Sequence, residues 1–166
     1  MISRDLLKDI AFTILVFAIV FGALYAFAGT WPPMVSVTSD SMIPHLEKGD
    51  LVLIQGLDRG NIQTYENADS PNYSSFGEAG DVIVYRPFGN GTPVIHRVIC
   101  YVNQGEPMWP NGPAAPYSGY ITRGDANSVC DQEASNICLG SPVKDAWIIG
   151  IARYRVPYLG YIRMLI

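Results

Sequence analysis

The chain has 166 residues, 49% of them hydrophobic, and a net charge of −4. That is enough for one domain of ordinary size with a true core beyond a leading apolar segment, and the acidic balance excludes the basic footprint of a nucleic-acid binder. Sixteen glycines and twelve prolines argue for a turn-rich, mainly β domain over a helical bundle.

In chain order the first element is Ile10 to Gly29, twenty residues without a charge. As a helix this run spans roughly 30 Å, the thickness of a bilayer core. Arg4 and Lys8 lie on its near flank, and no Lys or Arg follows before Lys48. The positive-inside rule then places residues 1–9 in the cytoplasm and the main domain outside the cell or in a lumen. Ala26-Phe27-Ala28 also has the form of a leader-peptidase cleavage site, so a removable leader is the competing reading. The apolar run exceeds the usual length of such a leader's core, which favours a retained anchor over 10–29.

Residues 30–36, with Trp31-Pro32-Pro33, read as a short tether that keeps the domain at 37–166 close to the membrane. Leu51–Ile54 is a continuous apolar run of buried-strand type. Residues 58–79 are polar and aromatic without a period, and read as a loop. Asp81–Arg86 and Val94–Ile99 read as paired strands around the Asn90-Gly91 turn signal. Residues 103–119 are a Pro/Gly-rich loop, Tyr120–Thr122 leads into Arg123-Gly124-Asp125, and Trp147–Ala152 is a further strand. The apolar end, Val156–Ile162, either lies against the membrane or opens a second span. The pairs Gly49-Asp50 and Gly80-Asp81 read as turn chemistry.

The spacings of Cys100, Cys130 and Cys138 do not resemble a zinc site, and an odd count excludes full internal pairing. A Cys130–Cys138 bridge in an oxidising compartment and buried free thiols both remain open. Asn72-Tyr73-Ser74 and Asn90-Gly91-Thr92 are glycosylation sequons, consistent with export.

The chemistry narrows on Ser41. A serine hydroxyl needs a neighbouring base to become a nucleophile, and the base needs a group that orients it. The chain offers only His45, His96, Lys8, Lys48 and Lys144 as bases, and Lys8 falls on the wrong side of the anchor. His45 follows Pro44 and reads as a surface loop residue. Lys48 reads as a solvated turn charge.

The segment Ser39-Asp40-Ser41-Met42-Ile43-Pro44, beyond one apolar span, resembles the nucleophile box of type I signal peptidases. Two further boxes follow in the family's order. Ile95-His96-Arg97-Val98 is similar to the strand in which the archaeal and endoplasmic-reticulum branch carries a histidine where bacterial relatives carry lysine. Gly124-Asp125-Ala126-Asn127-Ser128-Val129-Cys130-Asp131 is similar to the family's acidic box, with Ala126 in place of an asparagine and Cys130 in place of the first of two terminal aspartates. The matching segments cover about half of the exported domain.

The resemblance implies a signal-peptidase-like, mainly β domain on one N-terminal transmembrane helix. It implies a membrane-bound serine endopeptidase that removes signal peptides from secretory preproteins, cut after small residues. Ser41 would be the nucleophile, His96 the general base and Asp131 the orienting acid. Asp125 would support the site, and Ser39 would add a hydroxyl to the oxyanion site, with Asp40 standing where glycine is usual. No metal or other cofactor is implied. The expected partners are preproteins, membrane lipid, and accessory subunits or a translocon, with no nucleic acid. Two alternatives stand beside this reading: a Ser-Lys peptidase of the same fold, and a catalytically inert, membrane-anchored binding domain.

Overall fold

The structure is a computed structural model and describes residues 3–67, 73–134 and 137–164. Asn72 of the first sequon therefore lies outside the described residues.

Helix α1, Arg4–Ala28, opens on a Ser3 cap whose hydroxyl accepts the Leu6 N–H at 3.1 Å. It closes at Gly29, whose φ of +60° permits the left-handed turn that sends its N–H to the Tyr25 carbonyl. Of its residues only Ala28 is buried. An apolar helix exposed all round its surface is long enough to cross a membrane.

The rest is one curled antiparallel sheet. Its strands are β1 (Met34–Ser36), β2 (Leu51–Gln55), β3 (Val82–Tyr85), β4 (Val94–Val102), β5 (Gly119–Arg123) and β6 (Ile148–Val156), in the order β1-β2-β6-β3-β4-β5. Register breaks at Leu53/Ile54, Val84/Tyr85 and Val98/Cys100 bend it. Strand β3 explains itself by period: Val82 and Val84 face one apolar cluster, with Met42, Leu46 and Val52, and Ile83 and Tyr85 face another, with Val98 and Ile151. Burial on both faces is why this strand carries no polar alternation. Two short helices complete the chain, α2 (Asp131–Ala134) and α3 (Gly160–Met164).

Three features go beyond the sequence expectations. Residues 34–36 are not free spacer: they pair with Leu51–Leu53 as β1. Three residues after two prolines are too few to show a strand period. The α1 end is itself fastened to the sheet, because Gly56 N–H donates to the Ala28 carbonyl at 2.7 Å and the Thr30 hydroxyl to the Ile149 carbonyl at 2.9 Å. Finally, the apolar C-terminal segment is part strand and part α3 and folds back on the domain, with Gly160 N–H bonded to the Gly49 carbonyl at 2.8 Å. Cys100 and Cys130 pack in one apolar cluster and Cys138 in another, and all three are free thiols.

Candidate active site

Three segments that are distant in sequence meet at one point. The loop between β1 and β2 carries Ser41. It is anchored by Met42 and Leu46, four residues apart and both wholly buried. Strand β4 carries His96, which is 2% exposed. The segment after β5 runs through Gly124 and Asp125 to Asp131 at the start of α2.

Ser41 Oγ lies 3.0 Å from His96 Nε2, and His96 Nδ1 lies 2.6 Å from Asp131 Oδ2. Because Asp131 occupies Nδ1, a neutral His96 carries its proton there and turns an unprotonated Nε2 to the serine. The same aspartate oxygen also accepts from the Thr122 hydroxyl at 2.7 Å and from Tyr85 OH at 2.9 Å. Burial and the neighbouring Asp131 charge push the Tyr85 phenol far above its ordinary range, so it remains a donor. Gln132 holds Thr122 in turn, accepting its backbone N–H at 3.0 Å. Asp131 is 1% exposed, and these donors satisfy a carboxylate oxygen that water does not reach.

Next to His96 on β4, Arg97 points to the opposite face. It is 1% exposed and forks onto Asp125, Nε to Oδ1 and Nη2 to Oδ2, both at 2.7 Å. Its other nitrogen, Nη1, donates to the carbonyls of Gly80 at 2.7 Å and Ser75 at 2.8 Å. One strand thus holds both acids of the third box: His96 takes Asp131 and Arg97 takes Asp125. His45 completes the second group, with Nδ1 2.8 Å from Asp125 Oδ2. This corrects its reading as a surface loop residue: the imidazole is 21% exposed and has a fixed carboxylate partner.

Gly124 is required by space. A Cβ there would stand 2.6 Å from the Ser41 carbonyl oxygen and 3.0 Å from His96 Nε2. The loop closes on the serine through Ala126 N–H, which donates to the Ser41 carbonyl at 2.9 Å. The other two Gly-Asp pairs differ. Gly49 and Gly80 have φ of +96° and +78°, where a side chain is strained. Asp50 accepts the Glu47 N–H, and Asp81 accepts the Gln63 N–H, both holding turns.

Ser39 Oγ is 3.2 Å from Ser41 Oγ, and Asp40 is exposed. A cleft of about 320 Å³ opens beside Ser41 and His96. Val35 and Ser36 of β1 wall one part, and Val94 and Ile95 of β4 another. Lys48 is exposed, and Lys144 stands over the Tyr117 ring, 3.9 Å from its centroid. Tyr85, Thr122 and Gln132 were not singled out in the sequence reading, and His45 was set aside there as a loop residue. The signal available was slight: a tyrosine two residues from the β3 position that pairs with His96 shares its face of the sheet.

A hydroxyl, an imidazole and a buried carboxylate in series form a proton relay of the kind serine hydrolases use. The relatives place the chain more narrowly. It is 29% identical over 137 residues to the signal peptidase complex catalytic subunit sec11 of Schizosaccharomyces pombe, a match covering 78% of this chain and 65% of that protein. It is 29% identical to the corresponding subunit of Arthroderma otae, covering 87% and 72%, and 25% identical to that of Aspergillus terreus, covering 86% and 70%. The chain spans about two thirds of the length of these relatives. No family model matches it. The chain is therefore similar, at 25–29% identity over most of its length, to proteins named as signal peptidase complex catalytic subunits.

Proposed function

We propose that the protein is a membrane-anchored serine endopeptidase that removes signal peptides from secretory preproteins, with Ser41 as nucleophile, His96 as general base and Asp131 as the acid that orients it. The observation that carries this reading is the unbroken series Ser41 Oγ–His96 Nε2–Asp131 at 3.0 and 2.6 Å in a chain related to signal peptidase catalytic subunits.

His96 Nε2 takes the proton as Ser41 Oγ attacks the scissile carbonyl. The imidazolium that forms is stabilised by Asp131, whose charge is shared with Tyr85 and Thr122. His96 then delivers the proton to the leaving amine, and water repeats the attack on the acyl-serine. The Ser41 backbone N–H and the Ser39 hydroxyl, whose Oγ is 3.2 Å from Ser41 Oγ, would serve as donors to the developing oxyanion. The lysine-based alternative has little support, because histidine and not lysine meets the serine.

The cleft supports a substrate in extended form. Strand β1 ends the sheet, and the start of β4, before its pairing with β5 begins at Arg97, is open as well. Such edges accept an added strand. The walls of Val35, Val84, Val94 and Ile95 leave a shallow apolar floor, suited to short aliphatic side chains next to the cleaved bond. With α1 across a bilayer and its N-terminus cytoplasmic, the cleft faces the exported end of a preprotein. Accessory subunits of the kind its relatives' names imply, a translocon and membrane lipid would be its neighbours.

Cleavage of a purified model preprotein tests the reading. The full chain in detergent or vesicles should release the signal peptide, and folded Ser41→Ala should not. Equal processing by Ser41→Ala would sink it.

A further inference from the structure

Resting on that function, we propose that His45 is a positioning residue: its Nδ1–H bond to Asp125 locks the Ser41 loop onto the Gly124–Asp125 loop and so holds the Ser41–His96 geometry. On its core side the Ser41 loop is anchored through Met42 and Leu46. On its other side the third-box loop reaches it through one backbone bond, Ala126 N–H to the Ser41 carbonyl. His45 adds a side-chain link at 2.8 Å, four residues beyond the nucleophile.

The link is worth having because its far end is immobile. Asp125 is clamped by both forks of Arg97, and Arg97 is itself pinned by the Gly80 and Ser75 carbonyls. The near end is confined too. The His45 carbonyl accepts from Arg155 Nη1 at 2.9 Å. Its ring edge lies over Gly77, where a Cβ would stand 3.2 Å from Cδ2. Nothing in the proton relay needs His45, since the relay runs from Ser41 through His96 to Asp131 on the other side of β4. Its ring serves as a donor of fixed length between two loops that must keep their separation to a few tenths of an ångström.

Three substitutions separate the donor from the ring. His45→Asn places an amide N–H near the Nδ1 position, His45→Leu keeps volume without a donor, and His45→Ala removes both. Each is measured in the full chain by preprotein kcat and KM, and by the rate at which a small fluorophosphonate acylates Ser41, which requires no signal-peptide recognition. The expected result is a kcat about tenfold lower for the Leu and Ala variants with KM unchanged, an equal slowing of acylation, and Asn within about twofold of the parent. A Leu variant as fast as the parent, an Asn variant as slow as Ala, or a loss confined to KM would overturn the proposal. If the parent acylates but does not process preprotein, the peptidase reading falls, and the acylation rates still decide the role of His45. If the parent does not acylate either, both fall.

Discussion

His96 and Arg97 are neighbours on one strand, and each holds an aspartate from the same nine-residue stretch, Arg123 to Asp131. Yet the two centres are built differently. Among the described residues, the side chains bonded to Asp131 are two hydroxyls and one imidazole, none of which carries a fixed charge. Asp125 is met by a guanidinium that can never give up its proton. The first arrangement leaves the carboxylate's charge free to act on whatever charge appears on the histidine. The second cancels the carboxylate and converts it into a mechanical joint. Alternation along a strand is what keeps them apart, one on each face.

The strongest way to break this contrast is at the relay itself. Ser41→Ala or His96→Ala should lower kcat by several orders of magnitude with the circular dichroism spectrum unchanged, because relay members act as a unit. Gly124→Ala should come close behind, since its methyl would meet the Ser41 carbonyl and His96 at once. A near-normal rate in that variant would show that the third-box loop can retreat without harm.

Asp131→Asn should then damage kcat by more than Asp125→Asn. The amide loses the charge that stabilises imidazolium and favours the wrong tautomer, whereas at Asp125 the loss is of the joint. Thermal melting should reverse the ranking, because Asp125→Asn leaves Arg97 buried with its charge uncancelled, at a cost of about 3–5 kcal/mol. Equal effects of both on both measurements would dissolve the distinction. Tyr85→Phe removes one of the three described donors to Asp131 Oδ2 and should lower kcat by roughly tenfold.

The smallest expected effect concerns the thiols. Burial raises Cys138 to about 11 and Cys100 to about 12, so little thiolate exists at neutral pH. Native protein should react with maleimide far more slowly than unfolded protein, and rapid labelling would show that these clusters open.

How much of this was legible in sequence follows from the range of each interaction. The strands at Leu51, Val82, Val94 and Ile148 were visible because an apolar run between turn residues is a local signal. Ser41, His96 and Asp131 could be named only through motif resemblance, since no local property of the chain says that residues 41, 96 and 131 meet. Tyr85 and Thr122 carried no motif. Their role exists only once β3 and β5 place them on the His96 face. His45 was misread because Pro44 before it marks a turn, and turns are usually wet. The carboxylate that captures it arrives from eighty residues away. Strand β1 was missed for a simpler reason, that three residues cannot display a period of two.

The junction of α1 with the sheet has a consequence for the whole molecule. Ala28, Thr30 and Gly56 fasten the helix end to β2 and β6, and Phe27 rests on Tyr154 with ring centroids 6.0 Å apart. A span joined this way has no swivel. With α1 across a bilayer, any tilt of the helix would be passed to the sheet as a lever passes torque, and lipid thickness, which biases tilt, would act on the height and pitch of the cleft.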